Sequence, residues 1–550
     1  MSTEPNLHLR NMQNFLRKLD GLAGIKTENV WAKRLERVSF IFLVLMFVFA
    51  PHSIAATQTA WLVGMFVWLL RFTIKPRPRF VRTPLDIALW VFFLWSVISS
   101  VLSYAPDLSI NKLRGTAVFL IFYFVVNNLK NLRAVKFLAF AIIISCLVNV
   151  VWTPLQRVIG RGVEIHGVAA ESPLTKALLT EGDALLAANG GKIKTPEDLV
   201  AQIEQNETTK VKFYRPDFEF SVDVTRANLL GGENALQKLG IENWKKSRNW
   251  RSSGFYGHYT TYAEVLQLIA SLVFGLFISL FSTQRQKVKG KNYHRFLLFT
   301  FCFLPFAFCL ALLLTVTRAS QIALIVSVFA MVFLVNRKML LIFSAIVLPV
   351  ALGGIFFLQQ SRNVGFFDSQ DDSTKYRQTM YQDGVRIWTS TPHNFLLGVG
   401  MDSIQRYWRE WQMFDGGKLP LGHFHSTPLQ LLVERGLPAL LFWLWILWIY
   451  ARTLLRSGER ENERKGAFKI FFNKVSSLHL PSSHSPFLHF SAAWIEKGIV
   501  LGCFGGLVGF FTSGLVHYNL GDQEVAMVFF MLMGLGISIS NSRFQIPDSE

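Results

Sequence analysis

The chain has 550 residues, of which 51% are hydrophobic and 14% aromatic, whereas only 17% are charged. A soluble fold of this length does not need so apolar a composition, so we expect the lipid bilayer to be the solvent for most of the chain. The net charge of +20 could suggest nucleic-acid binding, but Lys and Arg fall in short clusters between apolar runs rather than on one surface. That distribution excludes nucleic acid as a partner and indicates membrane topology.

Apolar runs long enough to cross a bilayer recur along the chain and predict about twelve transmembrane helices. Five are expected within 38–153, four within 250–358, one at 427–451 and two within 497–542. No cleavable signal peptide is predicted in the basic segment 1–37, so the first helix should remain as an anchor. The individual helices are predicted at 38–52, 57–74, 85–103, 114–128, 134–153, 261–282, 296–316, 320–336, 339–358, 427–451, 497–517 and 523–542. The predicted fold class is therefore an all-α polytopic membrane protein.

The clusters of Lys and Arg predict the orientation of these helices, because such residues are retained on the cytoplasmic side. With twelve helices every cluster falls on one side, and both termini are then cytoplasmic. The clusters begin at Lys33, Lys75, Lys130, Arg285, Arg337 and Arg452. The loop 452–496 is predicted to be a flexible cytoplasmic linker. The large polar segments 154–260 and 359–426 are expected on the periplasmic side of a bacterial inner membrane, with smaller outer loops at 51–56, 104–113, 317–319 and 518–522.

Residues 160–226 are predicted to form a small α/β module in the first large outer segment. A β-like stretch at 163–165 is followed by a turn at Asn189-Gly190, and Thr195 and Pro196 begin a helix as N-cap and first helical residue. Two alternating strands, 210–214 and 218–224, follow. The order SPLTKALLTEGDALLAANGGKIKTPEDLVAQI resembles a bacterial periplasmic PDZ domain, which implies a protein partner that adds a strand to a sheet edge; a purely structural role is the alternative.

Metal and nucleotide chemistry have no support in the sequence. The four cysteines lie inside apolar segments, where we expect buried hydrophobic side chains rather than a disulfide or zinc ligands. They are Cys146, Cys302, Cys309 and Cys503. The outer segments contain neither an Asp-x-Asp pair nor a phosphate-binding glycine loop, so we expect no metal, no cofactor and no nucleotide-sugar donor.

The candidate chemistry-bearing residues are arginines and histidines in the predicted outer segments. Arg318 stands between two apolar helices, and the second large segment carries Arg377, Arg386, His423 and His425. A guanidinium pairs with phosphate oxygens in a planar fork, and a histidine near neutrality can accept a proton. These residues would suit a diphosphate-linked lipid donor. The alternatives are an interfacial arginine that reaches headgroups, and loop residues in solvated ion pairs.

Five segments between about 250 and 450 resemble, in order, the O-antigen ligase family. They are RSSGFYGHY at 251–259, LTVTRAS at 314–320, RQTMY at 377–381, LGVG at 397–400 and HSTPLQLLVERGL at 425–437. The resemblance implies a metal-independent, inverting glycosyltransferase that takes a glycan from undecaprenyl diphosphate and passes it to lipid A core or another hydroxyl acceptor.

The resemblance also implies roles for individual residues. Arg318 and Arg377 correspond to the diphosphate-binding arginines, and His425 corresponds to the residue that activates the acceptor hydroxyl. Arg386 replaces Arg377 if the stretched turn 392–398 shifts the correspondence. The further substrate-lining candidates are Arg251, His258, Arg386 and His423.

Three other functions fit the same sequence. A glycan polymerase or a protein O-oligosaccharyltransferase would use a similar donor and fold. A transporter of the lipid-linked glycan would bind diphosphate through the arginines without chemistry at His425. A membrane-anchored scaffold, with the PDZ-like module as its working part, would tolerate changes at Arg318 and His425. Membrane lipids are partners in every case.

Overall fold

The computed structural model describes residues 4–215, 218–248, 250–284, 291–335, 372–418, 422–475 and 487–540, together with 340–341, 344–345 and 353. The chain forms two compact units. The first comprises Met1–Leu147, Thr260–Leu312 and Arg318–Glu550, and the second comprises Val148–Tyr259 and Leu313–Thr317.

Helices account for most of the described residues. Before the outer sheet they are α1 Glu4–Ala23, α2 Val30–Phe49, α3 Ile54–Leu70, α4 Asp86–Val101, α5 Pro106–Thr116, α6 Leu120–Asn128 and α7 Leu132–Ile159. Three short helices accompany the sheet: α8 Pro173–Lys176, α9 Pro196–Gln205 and α10 Ala235–Leu239. The remaining helices are α11 Tyr259–Gln284, α12 Lys291–Leu314, α13 Arg318–Val335, α14 Asp372–Thr389, α15 Pro392–Leu397, α16 Ser403–Tyr407, α17 Met413–Gly417, α18 Thr427–Val475, α19 Phe487–Gly514 and α20 Gln523–Ser540.

Eight helices in the described part of the chain are long and apolar enough to cross a membrane. Their spans are Ile54–Thr73, Pro106–Asn128, Leu132–Ile159, Tyr259–Ser282, Arg318–Val335, Thr427–Arg456, Trp494–Gly514 and Gln523–Ser540. Asp86–Val101 and Phe303–Leu314 are shorter apolar helices. The chain is therefore a mostly helical, multi-pass membrane protein. The count of twelve stays a prediction, and the predicted helix at 339–358 lies largely outside the described residues.

The loop predicted at 452–496 is helical where the structure describes it, whereas 476–486 lie outside the described residues, so the flexible linker stays a prediction. Helix α18 continues to Val475, and α19 already begins at Phe487. The apolar part of α18 ends near Arg456, and hydropathy detects no more than that part. The residues that follow are rich in Glu, Arg and Lys, which are good helix formers and let the helix continue past the apolar span.

The second unit contains an antiparallel sheet in the order β5-β4-β2-β1-β6, with β3 paired to β2. The strands are β1 Arg161–Val168, β2 Ala184–Ala188, β3 Gly191–Lys192, β4 Thr208–Arg215, β5 Phe218–Thr225 and β6 Ile241–Ser247. The predicted strands at 163–165, 210–214 and 218–224 are confirmed within β1, β4 and β5. Thr195 is the N-cap of α9 and forms a capping box with Asp198. The likeness to a PDZ domain stays a prediction.

Strand β6 was not predicted and extends the sheet beyond residue 226. It pairs with β1 at one edge of the sheet. Its sequence, IENWKKS, buries only its two end residues, so it lacks the apolar alternation that marks a half-buried strand. Exposed lysines on an edge strand also discourage pairing with another chain. One edge of the sheet is therefore formed by a strand that sequence patterning does not detect.

Candidate functional site

The histidine loop, residues 422–426, leads directly into α18. Ser426 begins the helix, because its carbonyl accepts the N–H of Gln430 at 2.9 Å. Thr427 is held from a second direction: its hydroxyl oxygen lies 2.9 Å from the side-chain oxygen of Asn519, and its N–H donates to the carbonyl of His517 at 3.1 Å. The end of the histidine loop is thus tied to the start of a membrane-spanning helix.

His425 has a left-handed backbone, with φ +48°. A residue with a Cβ rarely adopts this conformation, and it persists where surrounding contacts hold it. Two such contacts flank the residue. The hydroxyl of Tyr381 donates to the carbonyl of His425 at 3.2 Å, and the N–H of Phe424 donates to Oε1 of Gln430 at 3.0 Å. The orientation of His425 is therefore fixed by tertiary hydrogen bonds.

A buried polar chain lies behind the histidine loop. The amide of Gln430 donates to Oε1 of Glu434 at 2.8 Å, and the same carboxylate oxygen accepts the N–H of Asp402 at 3.3 Å. Gln430 and Glu434 are both buried. A buried carboxylate is costly without hydrogen bonds, so Gln430 must present its amide nitrogen to Glu434. The amide oxygen of Gln430 then faces the N–H of Phe424.

Helix α14 packs over the histidine loop with one face. The ring of Tyr376 meets that of His425 edge to face, with centroids 5.9 Å apart. Gly384 permits this approach, since a Cβ at that position would lie 3.0 Å from the ring of buried Phe424. Burial raises the pKa of Tyr381, and the positive charge of Arg377 opposes that rise. The hydroxyl that bonds to His425 thus remains a proton donor near neutral pH.

Arg377 is on this helix, directly after Tyr376, and is half-buried. Within the described part of the chain its guanidinium forms neither a hydrogen bond nor an ion pair. A half-buried cation without a counter-charge is suited to an anionic ligand, because binding an anion restores the lost interactions. The structure therefore brings two predicted site residues, Arg377 and His425, to neighbouring elements.

Arg386, the predicted substitute for Arg377, is held differently. Its Nη2 lies 2.8 Å from Oδ1 of Asp383 and also donates to the carbonyls of Trp411 and Gln412. This guanidinium therefore ties α14 to the segment that follows α16. Its role as a diphosphate ligand stays a prediction.

The two remaining candidates of the first unit are His423 and Arg318. His423 is exposed, and its ring centroid lies 6.4 Å from that of His425 and 5.9 Å from that of Tyr518. Arg318 is the first residue of α13, is half-buried, and so stands at one end of a candidate membrane span. A guanidinium there can reach the headgroup region, and its part in diphosphate binding stays a prediction.

Arg251 and His258 lie in the second unit, and both contact the ring of Tyr259. The guanidinium carbon of Arg251 is 4.6 Å from the ring centroid of Tyr259, and the ring of His258 stacks on Tyr259 at 4.8 Å. The backbone N–H of Arg251 donates to the hydroxyl of Tyr214 at 3.3 Å. The substrate-lining role of both residues stays a prediction.

Sequence reasoning missed the residues that position His425. Tyr381 follows Arg377 by four residues and Gln430 precedes Glu434 by four, and both spacings place side chains on one helix face. A polar pair within the candidate membrane span Thr427–Arg456 was a usable signal, since such residues at membrane depth are expensive. Among the residues that the structure describes, no group of three or more His, Cys, Asp or Glu side chains could hold a metal ion.

Residues 301–444 match the family model described as O-antigen ligase. The match includes Arg318, Arg377, Arg386, His423 and His425, whereas Arg251, His258 and the sheet fall outside it. No curated protein matches the chain. The likeness predicted from the sequence motifs is confirmed over residues 301–444 of this multi-pass membrane protein, which are similar to the O-antigen ligase family.

Proposed function

We propose that this protein transfers a glycan from undecaprenyl diphosphate to a hydroxyl of an acceptor such as lipid A core, at the periplasmic face of a bacterial inner membrane. The observation that carries the proposal is that Arg377, which has no counter-charge among the described residues, directly follows the tyrosine whose ring contacts His425, a histidine of constrained backbone. Both lie within the residues that match the O-antigen ligase family.

The proposed reaction is a single displacement. The acceptor oxygen attacks the anomeric carbon of the glycan while its proton passes to the imidazole of His425. The bond between the anomeric carbon and the diphosphate oxygen breaks, and its electron pair leaves with undecaprenyl diphosphate. Arg377 and Arg318 stabilise the charge that develops there. Attack from the side opposite the leaving group inverts the anomeric configuration.

Glutamate and tyrosine side chains support this chemistry without taking part in it. Glu434 fixes the amide of Gln430, and Gln430 and Tyr381 hold the backbone on either side of His425. A fixed base avoids reorganisation when the proton is transferred. No step in this reaction needs a metal ion.

The test is complementation of cells that lack their own copy, using wild type and the variants His425→Ala, Arg377→Ala and Arg318→Ala at matched membrane abundance. We expect each variant to lose the glycosylated product and to accumulate lipid-linked glycan exposed to the periplasm. His423→Ala should retain more product than His425→Ala, because His423 lacks the backbone constraint. Wild-type product from all three arginine and histidine variants would falsify the assignment.

The same experiment separates the competing functions. Lipid-linked glycan trapped on the cytoplasmic face would indicate a transporter. Longer glycan on the lipid carrier in wild-type cells would indicate a polymerase, and glycan on protein would indicate a protein O-oligosaccharyltransferase. Glycan attached to lipid A core supports the ligase.

A further inference from the structure

We propose that a polar cleft, partly formed by the helix α14 that packs on the histidine loop, binds a neutral oligosaccharide. If the proposed function holds, this oligosaccharide is the glycan part of the substrate. The cleft has a volume of about 960 Å³. Its wall is formed by α14 and the segment from α16 to α17. The side chains that line it include Asp383, Arg386, Trp408, Arg409, Gln412 and Asp415.

The charges of the cleft favour a neutral ligand. The four charged residues named above are two arginines and two aspartates, so their formal charges cancel. Arg386 is moreover paired with Asp383 at 2.8 Å. Asp415 is paired with Lys418 at 3.3 Å. Of these four charged side chains, therefore, only Arg409 has no ion pair among the described residues, and its guanidinium lies over the ring of Trp408. An anion would thus gain little from the cleft, whereas hydroxyl groups can both donate to the carboxylates and accept from the guanidinium groups.

The polar groups of the wall are held in place before any ligand binds. Asp383 accepts the N–H of Phe414 at 2.8 Å through one oxygen and Arg386 through the other. Arg386 also donates to the carbonyls of Trp411 and Gln412. Binding to groups that are already ordered costs less conformational entropy. The wall therefore presents fixed partners, as sites for small polar ligands do.

Trp408 supplies an aromatic surface in the cleft. The centroid of the Trp408 ring lies 6.3 Å from that of buried Phe414. The guanidinium carbon of Arg409 lies 4.9 Å from the centroid of the Trp408 ring. Gly417 makes room for the indole, because a Cβ there would lie 2.7 Å from the ring. Sugar rings pack their C–H faces against such aromatic side chains while their hydroxyls bond to polar neighbours.

The backbone beside Trp408 is strained. Gln412, Phe414 and Asp415 all have left-handed φ values, of +48°, +60° and +53°. Residues with a Cβ rarely adopt this conformation, and those that do cluster at ligand sites. Two of the three, Gln412 and Asp415, line the cleft.

The spacing along α14 connects the cleft to the proposed reaction centre. Tyr376 contacts His425, and Asp383 follows it by seven residues, which is two turns along the same stripe of the helix. The two positions are therefore about 10 Å apart along the helix axis. A glycan with its reducing end near His425 would need more than one sugar to reach the cleft, so the geometry points to an oligosaccharide.

The binding test uses the full-length protein in nanodiscs. The probe is the neutral oligosaccharide released by mild acid from the cells' own lipid-linked glycan, measured by saturation-transfer NMR and calorimetry. We expect Arg409→Ala and Trp408→Ala to weaken binding at least about tenfold. If Trp408→Ala does not fold, Arg409→Ala alone decides the test.

The matched control is Arg406→Ala, which removes the same charge from an exposed arginine that pairs with Asp107 at 2.6 Å and does not line the cleft. Its affinity for the oligosaccharide should equal that of wild type. Equal affinities of Arg409→Ala and Arg406→Ala would overturn the proposal. Binding of inorganic phosphate in place of the oligosaccharide would overturn it too.

A transfer assay separates this proposal from the proposed function. Donors with one sugar and with the full glycan are compared by the ratio of their kcat/KM values. In Arg409→Ala the ratio of long to short donor should fall about fivefold or more, while Arg406→Ala keeps the wild-type ratio. If His425→Ala abolishes transfer but Arg409→Ala changes neither ratio nor affinity, the cleft is wrong and the proposed function stands. If His425→Ala transfers normally, the proposed function is wrong and the binding measurement still decides the cleft.

Discussion

Arg377 and Arg386 lie nine residues apart on the same helix, α14, yet their surroundings differ completely. Arg386 is bonded to Asp383 and to two backbone carbonyls. Arg377 is half-buried beside Tyr376 and Tyr381 and has no hydrogen-bond or ion-pair partner in the described part of the chain. The guanidinium of Arg386 is already bonded to groups of the protein, whereas that of Arg377 is available to an anion. The difference indicates that function follows from the environment of an arginine rather than from its presence in a motif.

Among the substitutions that test this difference, we expect the largest loss of transfer activity at Arg377. Arg377→Ala should lower the transfer rate about 10²–10³-fold, the usual loss when a preorganised charge partner of a transition state is removed. Arg377→Lys should recover part of the rate, since it restores the charge but not the planar fork. Initial rates in proteoliposomes at saturating donor measure both. A rate for Arg377→Ala within twofold of wild type would contradict the role given to this residue.

The next largest effect is expected at Gln430, which positions His425 without touching substrate. Gln430→Leu leaves the N–H of Phe424 without its acceptor and removes one of the donors to the buried Glu434, at a cost of about 1–3 kcal/mol. We expect a fall in kcat with little change in KM, and a lower melting temperature in detergent. Gln430→Glu keeps the shape but places an acid against Glu434, so its activity should improve as pH falls and one carboxyl gains a proton. A pH profile parallel to that of wild type would show that the contact does not act through Glu434.

A smaller effect is expected at Tyr381, because a single neutral hydrogen bond contributes about 0.5–1.5 kcal/mol. Tyr381→Phe removes the hydroxyl that bonds to the carbonyl of His425 and should lower kcat a few-fold. Tyr376→Phe is the matched control, since it keeps the ring that meets His425 edge to face. If the two variants had equal kcat, the hydrogen bond from Tyr381 would not be what holds the histidine loop.

The smallest effect is expected for stability at the Arg386–Asp383 pair. Its arginine side chain is half exposed, and pairs of this kind contribute roughly 0–1 kcal/mol. A double-mutant cycle with Arg386→Ala and Asp383→Asn, followed by melting temperature, should give a coupling in that range. A coupling of several kcal/mol would show that the wall of the cleft depends on this pair far more than its exposure indicates.

The positions of the eight candidate membrane spans in the described part of the chain were predictable from sequence, because twenty-residue apolar runs are long signals. The helix predicted at 523–542 is found at Gln523–Ser540, and that at 261–282 is found at Tyr259–Gln284. Strand β6 and the polar end of α18 escaped prediction because neither has an apolar face to mark it. The pairing of Asp383 with Arg386 was readable as a helical i,i+3 spacing.

The constraint on His425 was not predictable from the chain. Its left-handed backbone depends on Tyr381, 44 residues earlier in the sequence, and a contact between elements that distant has no local pattern. Its residue type was enough to suggest a base, but the fixed backbone emerges only from tertiary packing. The environment of Arg377 was not predictable either, because whether an arginine has an ion-pair partner depends on every neighbour that the fold brings to it.

The most direct test of the central claim is the affinity of the protein for undecaprenyl diphosphate that carries no glycan, measured in nanodiscs for wild type, Arg377→Ala and Arg386→Ala. A glycan-free ligand isolates the diphosphate contact from the cleft. We predict that Arg377→Ala weakens binding at least about tenfold, equivalent to the loss of one charge-assisted contact, while Arg386→Ala binds as wild type does. Equal loss in both variants, or a loss confined to Arg386→Ala, would contradict the assignment of Arg377 as the diphosphate-binding residue.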